Sequence, residues 1–274
     1  MYRIMCSREV IVASPARFSF KAGMSNRRGI ERLLFGAFLV AIWVACGQGS
    51  PDIPSQNVLE TGEKLYSQYD EELIIRDFFG DQRDGFFVDV GCYDYKDLST
   101  TYYLEKHLGW SGIGVDANDT MRAGYEMHRP RTKFENYAVT DNSGGELTFF
   151  LNVGGEGVSS LSRSWIENSI HSFFGPDVEP RIREVKVPAI TLDDLLEKNG
   201  VEKIDFLSMD IEGHELTALA GFDIERFSPE LVCIEAAADQ KAILRYFAEN
   251  GYERIDRYLK FDFANWYFRP RRER

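Results

Sequence analysis

Cysteine is scarce, and what there is does not pair. Cys6, Cys46, Cys92 and Cys233 show neither a zinc spacing nor a disulfide framework. Cys92 follows an apolar strand and Cys233 lies inside one, so both read as small buried residues. Positive charge is also short: the formal net charge is −12, which excludes a general nucleic-acid binder. The chain has no Gly-x-Gly-x-x-Gly near its first strand and no glycine-rich loop ending in Gly-Lys-Ser/Thr, so neither the dinucleotide fingerprint nor the phosphate loop is present. No internal repeat is visible. No apolar run reaches the ~20 residues that span a bilayer comfortably.

The longest apolar run is Leu33 to Ala45, preceded by Arg27, Arg28 and Arg32 and closed by Cys46. Its length suits the apolar region of a secretory signal. Val44-Ala45-Cys46-Gly47 resembles a bacterial lipoprotein signal, with Trp43 where leucine is usual; Met24 would then be the natural start. A short uncleaved anchor is one alternative, and an apolar helix packed on the domain is another. Basic residues before the run and acidic ones after it favour an outward-facing domain. The expected organisation is a signal or anchor segment over residues 1–46, a Gly/Ser/Pro-rich linker over 47–57, and a catalytic domain over 58–274. Membrane attachment through the N-terminus follows, or a cytoplasmic location if that run is not a targeting signal.

From residue 58 onward, apolar strands alternate with helical patterns, which argues for an α/β sheet with helices on both faces. Helices are expected at Val58–Phe79, Asp97–His107, Asp119–His128, Leu192–Lys198, Glu212–Ala220 and Gln240–Asn250. Strands are expected at Phe86–Val90, Gly112–Asp116, Lys133–Val139, Glu146–Asn152, Glu184–Pro188, Ile204–Met209 and Leu231–Glu235. Two more, near Tyr252–Arg257 and Phe263–Phe268, are joined by a short connection and should be antiparallel to each other. A mostly parallel sheet closed by such a hairpin is the Rossmann-like pattern of class I methyltransferases. Residues 153–183 show no clean periodicity and read as a long loop, functional or mobile.

Ligands of open α/β sheets bind beyond the carboxyl ends of strands, so the residues there carry the functional reading. Asp89-Val-Gly91 ends the first strand, where glycine lets the backbone approach a ligand. Asp116, 25 residues after Gly91, ends the second strand and could accept both hydroxyl hydrogens of a ribose; a helix-start carboxylate is the plain alternative. Asn136 to Val139 could flank a flat base or simply pack in the core. Asp210-Ile-Glu212-Gly-His214-Glu215 is the densest cluster. Its carboxylates could position a cationic cofactor, hold a hydroxyl substrate or take its proton, and His214 could also be a base. Helix capping explains the same residues without function. Glu235 ends the next strand and could line the substrate side. Nothing requires a metal, although Asp210 and Glu212 could hold Mg²⁺ weakly.

Three stretches, Phe87–Asp94, Thr101–Asp116 and Ile204–Leu216, together with Val187–Leu196 and Gly157–Leu161, resemble the FkbM family of S-adenosylmethionine-dependent methyltransferases. The resemblance runs from about Gly85 to Ala236. It implies a class I methyltransferase fold that binds S-adenosylmethionine. Asp89, Gly91 and Tyr93 would face the methionine part, Asp116 and Ala117 the ribose, and Asn136 and Ala138 the adenine. Asp210, Glu212 and His214 would lie near the methyl donor and acceptor. Members of the family commonly methylate hydroxyl groups of sugars or natural products, so a small-molecule or glycan acceptor is expected. Two residues depart from the family pattern. Tyr95 stands where glycine is common, which would narrow the cofactor loop, and Asp116-Ala117 replaces Glu-Pro. An exported domain sits awkwardly with a cofactor made in the cytoplasm, so a catalytically inactive, membrane-attached binding or scaffold protein is the competing reading.

Overall fold

The computed structural model describes residues 57–237 and 239–271. The expected signal or anchor, and all but the last residue of the expected linker, lie outside the described residues. Among the described residues, no helix is long and apolar enough to cross a membrane.

In chain order the elements are α1 (Val58–Thr61), α2 (Glu71–Phe79), β1 (Phe86–Val90), α3 (Tyr102–Leu108), β2 (Ser111–Asp116), α4 (Arg122–His128), β3 (Thr132–Asn136), β4 (Ala138–Val139), β5 (Glu146–Asn152), α5 (Arg163–Phe174), β6 (Ile182–Ile190), α6 (Leu192–Lys198), β7 (Phe206–Met209), α7 (Glu215–Ala220), α8 (Ile224–Phe227), β8 (Leu231–Glu235), α9 (Gln240–Glu249), β9 (Tyr252–Arg254) and β10 (Asn265–Pro270). The main sheet has the order β3-β2-β1-β7-β8-β10-β9. β3, β2, β1, β7 and β8 pair in parallel. β10 lies antiparallel between β8 and β9. This is the Rossmann-like methyltransferase architecture, with an antiparallel C-terminal pair.

Strand periodicity builds two cores, one on each face. Val88, Val90, Leu207 and Met209 point to one face, where they meet Leu192 and Leu195 of α6 and Ile243 and Phe247 of α9. Phe87 and Phe206 point to the other, against Ile74 of α2 and Leu104 of α3. Sheets buried on both sides need apolar residues at every strand position. Asp89 and Ser208 are exceptions near the carboxyl ends, both almost fully buried. The chain winds from β1 outward one way and from β7 outward the other. The switch point therefore lies between β1 and β7.

Several expected elements differ. The helix over Val58–Phe79 is interrupted between α1 and α2, because the Glu72 carboxylate accepts the Leu65 and Tyr66 amides at 2.7 and 3.0 Å and holds that stretch extended. The helix expected from Asp97 starts at Tyr102; Leu98 has a left-handed backbone, and the Thr101 hydroxyl is engaged by Asp89 at 2.7 Å. The strand expected over Lys133–Val139 breaks at Tyr137. Its first part belongs to the main sheet, and β4 joins a second sheet of order β4-β6-β5. Residues 153–183 are not one loop: Ser162 caps the twelve-residue α5 by accepting the Trp165 amide. The last two strands are shifted but antiparallel, as expected.

Candidate active site

The two strands at the switch point end close together. The Asp210 amide donates to the Val90 carbonyl at 3.0 Å. Gly91 has φ +83°, and a Cβ there would stand 1.8 Å from the Asp210 carbonyl oxygen. Glycine is needed at this point because two chain ends abut, in addition to any ligand approach.

Two cavities open from this junction. The first, of about 70 Å³, lies over the ends of β1 and β2 and is walled by the second sheet. Asp116, Ala117, Ala138 and Phe149 line it. The second, of about 590 Å³, lies over the ends of β7 and β8, between the segment preceding α2 and the helix α5. Gly91, Tyr93, Gly157, Asp210 and Glu212 line both. The first cavity therefore meets the second at the Asp210–Glu212 turn.

Asp116 is held by two backbone donors, the Tyr93 amide at 2.9 Å and the Asn118 amide at 2.7 Å. Burial raises its pKa, and these two bonds oppose the rise. A carboxylate has about four acceptor positions, so capacity for hydroxyl donors remains. Asn136 does not line either cavity. Its amide donates to the Asp116 and Ala117 carbonyls at 2.9 and 3.0 Å and fixes the turn after β2. Asn136, expected to face an adenine, is thus seen bracing this turn, while Ala138 does line the first cavity. Asp89 lies on the side of the second cavity. Burial raises its pKa to about 6, against the Thr101 hydrogen bond and the nearby Arg129.

Glu212 has φ +53°, a left-handed conformation rare for a residue with a side chain. It is not the first turn of a helix, as expected; α7 begins at Glu215, with His214 as its cap. Two groups from the 153–183 segment hold Glu212. The Ser160 hydroxyl donates to its carbonyl at 2.8 Å, and the Trp165 indole N–H donates to its carboxylate at 2.8 Å. The indole rests on Gly213, where a Cβ would come within 2.6 Å of the ring and φ is +89°. Sequence reasoning missed Trp165; no local pattern ties it to a residue 47 positions away. Burial raises the Glu212 pKa to about 7, with Trp165 opposing and Glu215 adding to the rise.

Asp210 stands at the junction, open to the cavities yet surrounded by protein and other carboxylates. Burial, then Glu212 and Glu215, raise its pKa well above the ordinary range. Glu235 is pushed up to about 10 by burial and then by Asp210. His214 lines only the first cavity, and its Nε2 lies 3.2 Å from the Thr140 hydroxyl. Burial lowers its pKa, with Asp141 opposing. Tyr95 does not narrow the cofactor loop: it packs on Gly124 of α4 and stacks on His128, with ring centres 4.6 Å apart. Cys92 and Cys233 are free and buried.

Residues 89–254 match the Methyltransferase FkbM domain. The chain belongs to the FkbM methyltransferase family. The matched stretch of this FkbM chain runs from Asp89 at the end of β1 to Arg254 at the end of β9 and so includes both cavities' strand ends. No curated protein matches the sequence. Among solved structures, a TehB-like SAM-dependent methyltransferase from Corynebacterium glutamicum is similar at 13% identity and a TM-score of 0.40, over 78% of this chain and 93% of that one. A putative sarcosine dimethylglycine methyltransferase from Galdieria sulphuraria is similar at 12% identity and a TM-score of 0.31, over 72% of each chain.

Proposed function

We propose that this FkbM domain binds S-adenosylmethionine in the first cavity and methylates a hydroxyl oxygen of a sugar or other small molecule held in the second. The observation that carries this reading is the meeting of the two cavities at Asp210 and Glu212. The residues of the first cavity fit the cofactor: Asp116 offers acceptors for ribose hydroxyls, Ala117, Ala138 and Phe149 offer apolar walls for a base, and Asp210 and Glu212 offer carboxyl oxygens whose ionised forms a sulfonium would favour. The cofactor supplies an activated methyl group; the protein supplies orientation and a place for the proton. Glu212, with its pKa near 7, is suited to take that proton at neutral pH. His214 lies on the cofactor side and is better placed to shape that cavity.

The second cavity favours a neutral polyol. Gln68, Asn168, Ser169 and Ser172 offer uncharged hydrogen-bonding groups, and Tyr69 and Trp165 offer flat apolar faces. Carboxylates line it and, among the described residues, no Lys or Arg does, which disfavours an anionic acceptor.

Calorimetric titration of the full chain with S-adenosylmethionine should show binding that Asp116→Ala weakens at least about tenfold, or ~1.4 kcal/mol. Asp210→Asn should keep the fold and lose about 100-fold or more in turnover on hydroxylated acceptors. Wild-type turnover in that variant would remove Asp210 from the reaction. A folded chain that binds no cofactor would favour a non-catalytic binding protein instead.

A further inference from the structure

Beneath the junction of the cavities lies a group of three carboxylates from three elements: Asp210 after β7, Glu215 at the start of α7, and Glu235 at the end of β8. One oxygen from each lies within 4.8 Å of the other two. Glu215 is fully buried. Its Oε1 accepts the Ile211 and Gly213 amides at 3.0 and 3.2 Å. Its Oε2, and the Oε2 of Glu235, are buried with no hydrogen-bond donor. Two such oxygens side by side are costly if both are ionised, and in the absence of an ion a proton kept by Glu235 is shared with Glu215. Among the described residues, no Lys or Arg lines the second cavity. Only a proton held between the carboxyls or a small cation can balance them.

We propose that Asp210, Glu215 and Glu235 form a binding site for one hard divalent cation, Mg²⁺, Mn²⁺ or Ca²⁺, at the floor of the acceptor cavity. The donor set is oxygen alone, with no histidine or thiolate, which selects these ions over zinc or copper. Three oxygens each 4.8 Å apart, the upper limit here, lie about 2.8 Å from a common centre (4.8/√3), so closure by a few tenths of an ångström reaches the about 2.3–2.6 Å of Ca²⁺ and a larger closure the about 2.0–2.1 Å of Mg²⁺. The sulfonium of a cofactor cannot take this place, because its carbon substituents keep it from the enclosed Glu215 Oε2. Asp210 and Glu235 border the open cavity, so the remaining coordination positions face water or an acceptor hydroxyl. The ion would anchor that hydroxyl beside the Asp210–Glu212 turn. Ion binding does not depend on the methyl-transfer reading, and its test needs neither cofactor nor acceptor.

The test uses the full chain, stripped with chelator and free of S-adenosylmethionine. Mn²⁺ binding is followed by electron paramagnetic resonance, and Mg²⁺ and Ca²⁺ binding by calorimetry. The expected result is one saturable site with a dissociation constant below about 1 mM. Glu215→Gln and Glu235→Gln should each weaken it at least tenfold. Glu71→Gln, a cavity carboxylate outside the three, should change it less than threefold. Circular dichroism reports whether each variant is folded. Absence of saturable binding to the folded wild-type chain overturns the proposal by itself and assigns a shared proton to the pair. Equal binding by wild type and either folded Gln variant also overturns it, since the ion would then lie elsewhere.

Discussion

At the scale of single residues, the site is held by interactions that cross long stretches of chain. Glu212 occupies a left-handed backbone, which costs a side-chain-bearing residue ~1–3 kcal/mol unless its surroundings enforce it. The enforcement is visible: Ser160 holds its carbonyl and Trp165 its carboxylate. The indole bond also opposes the burial that raises the Glu212 pKa. Trp165→Phe keeps an aromatic ring against Gly213 but removes the N–H. We expect it to cost up to ~3 kcal/mol of stability, the range for a hydrogen bond to a charged group. Turnover should fall about tenfold or more, and the pH–rate profile should shift its lower limb upward. An unchanged pH profile would assign the indole to packing alone.

At the scale of elements, β1, α3, α4 and β3 are pinned by one buried ion pair. Arg129 Nε lies 2.6 Å from Glu105 Oε2, with both side chains nearly inaccessible. The guanidinium also donates to the Tyr95 carbonyl and to the Thr101 and Thr132 hydroxyls. Thr101 in turn donates to Asp89 at 2.7 Å, so the network reaches the end of β1 beside the second cavity. Removing one partner leaves a buried charge unpaired. Arg129→Met should therefore cost ~3–5 kcal/mol in denaturant unfolding. The double variant Arg129→Met, Glu105→Leu should recover a large part of that loss, because the orphaned charge is gone. The same scale explains α5. Trp165 and the preceding Ser160 tie it to the Asp210–Glu212 turn, so the segment over the second cavity is a helix fastened to the site.

At the scale of the whole molecule, acidic groups gather over the carboxyl ends of β1, β7 and β8. Glu71 contributes from α2: it is nearly buried, and burial followed by Asp262 raises its pKa from 4.5 to about 7, against bonds from the Tyr69 amide and others. Folded Glu71 therefore binds its proton more tightly than the unfolded chain does. Its stabilising contribution is complete below about pH 4.5 and is lost as pH rises through about 7. Asp89, raised to about 6, acts in the same direction. Melting temperature should decline between pH 5 and pH 8. Glu71→Gln, which cannot ionise, should reduce that decline, with the largest gain over wild type at pH 8. An identical slope in the variant would show that Glu71 is ionised throughout.

The sequence by itself determined the layered α/β fold. Runs such as Phe86–Val90 and Phe206–Met209 are apolar at nearly every position, and only a parallel strand covered on both faces buries them. It also marked the acidic strand ends, because Asp116 and Asp210 stop apolar runs at the places where such sheets bind ligands. Local pattern could not show what those residues touch. Whether Asn136 reads a base or braces a turn depends on carbonyls about 20 positions earlier in the chain. Glu72 breaks an expected helix by accepting amides of the segment before it, a choice between local helix and side-chain capture that periodicity does not record. Trp165 lay in a stretch without clean apolar periodicity, and its role is fixed by the indole seat at Gly213. The joining of two cavities at Asp210 and Glu212, and the meeting of Glu215 with Glu235, were decided by the pairing of β1 with β7 and of β7 with β8. Those are long-range contacts, and only the folded sheet brings their side chains within reach of one another.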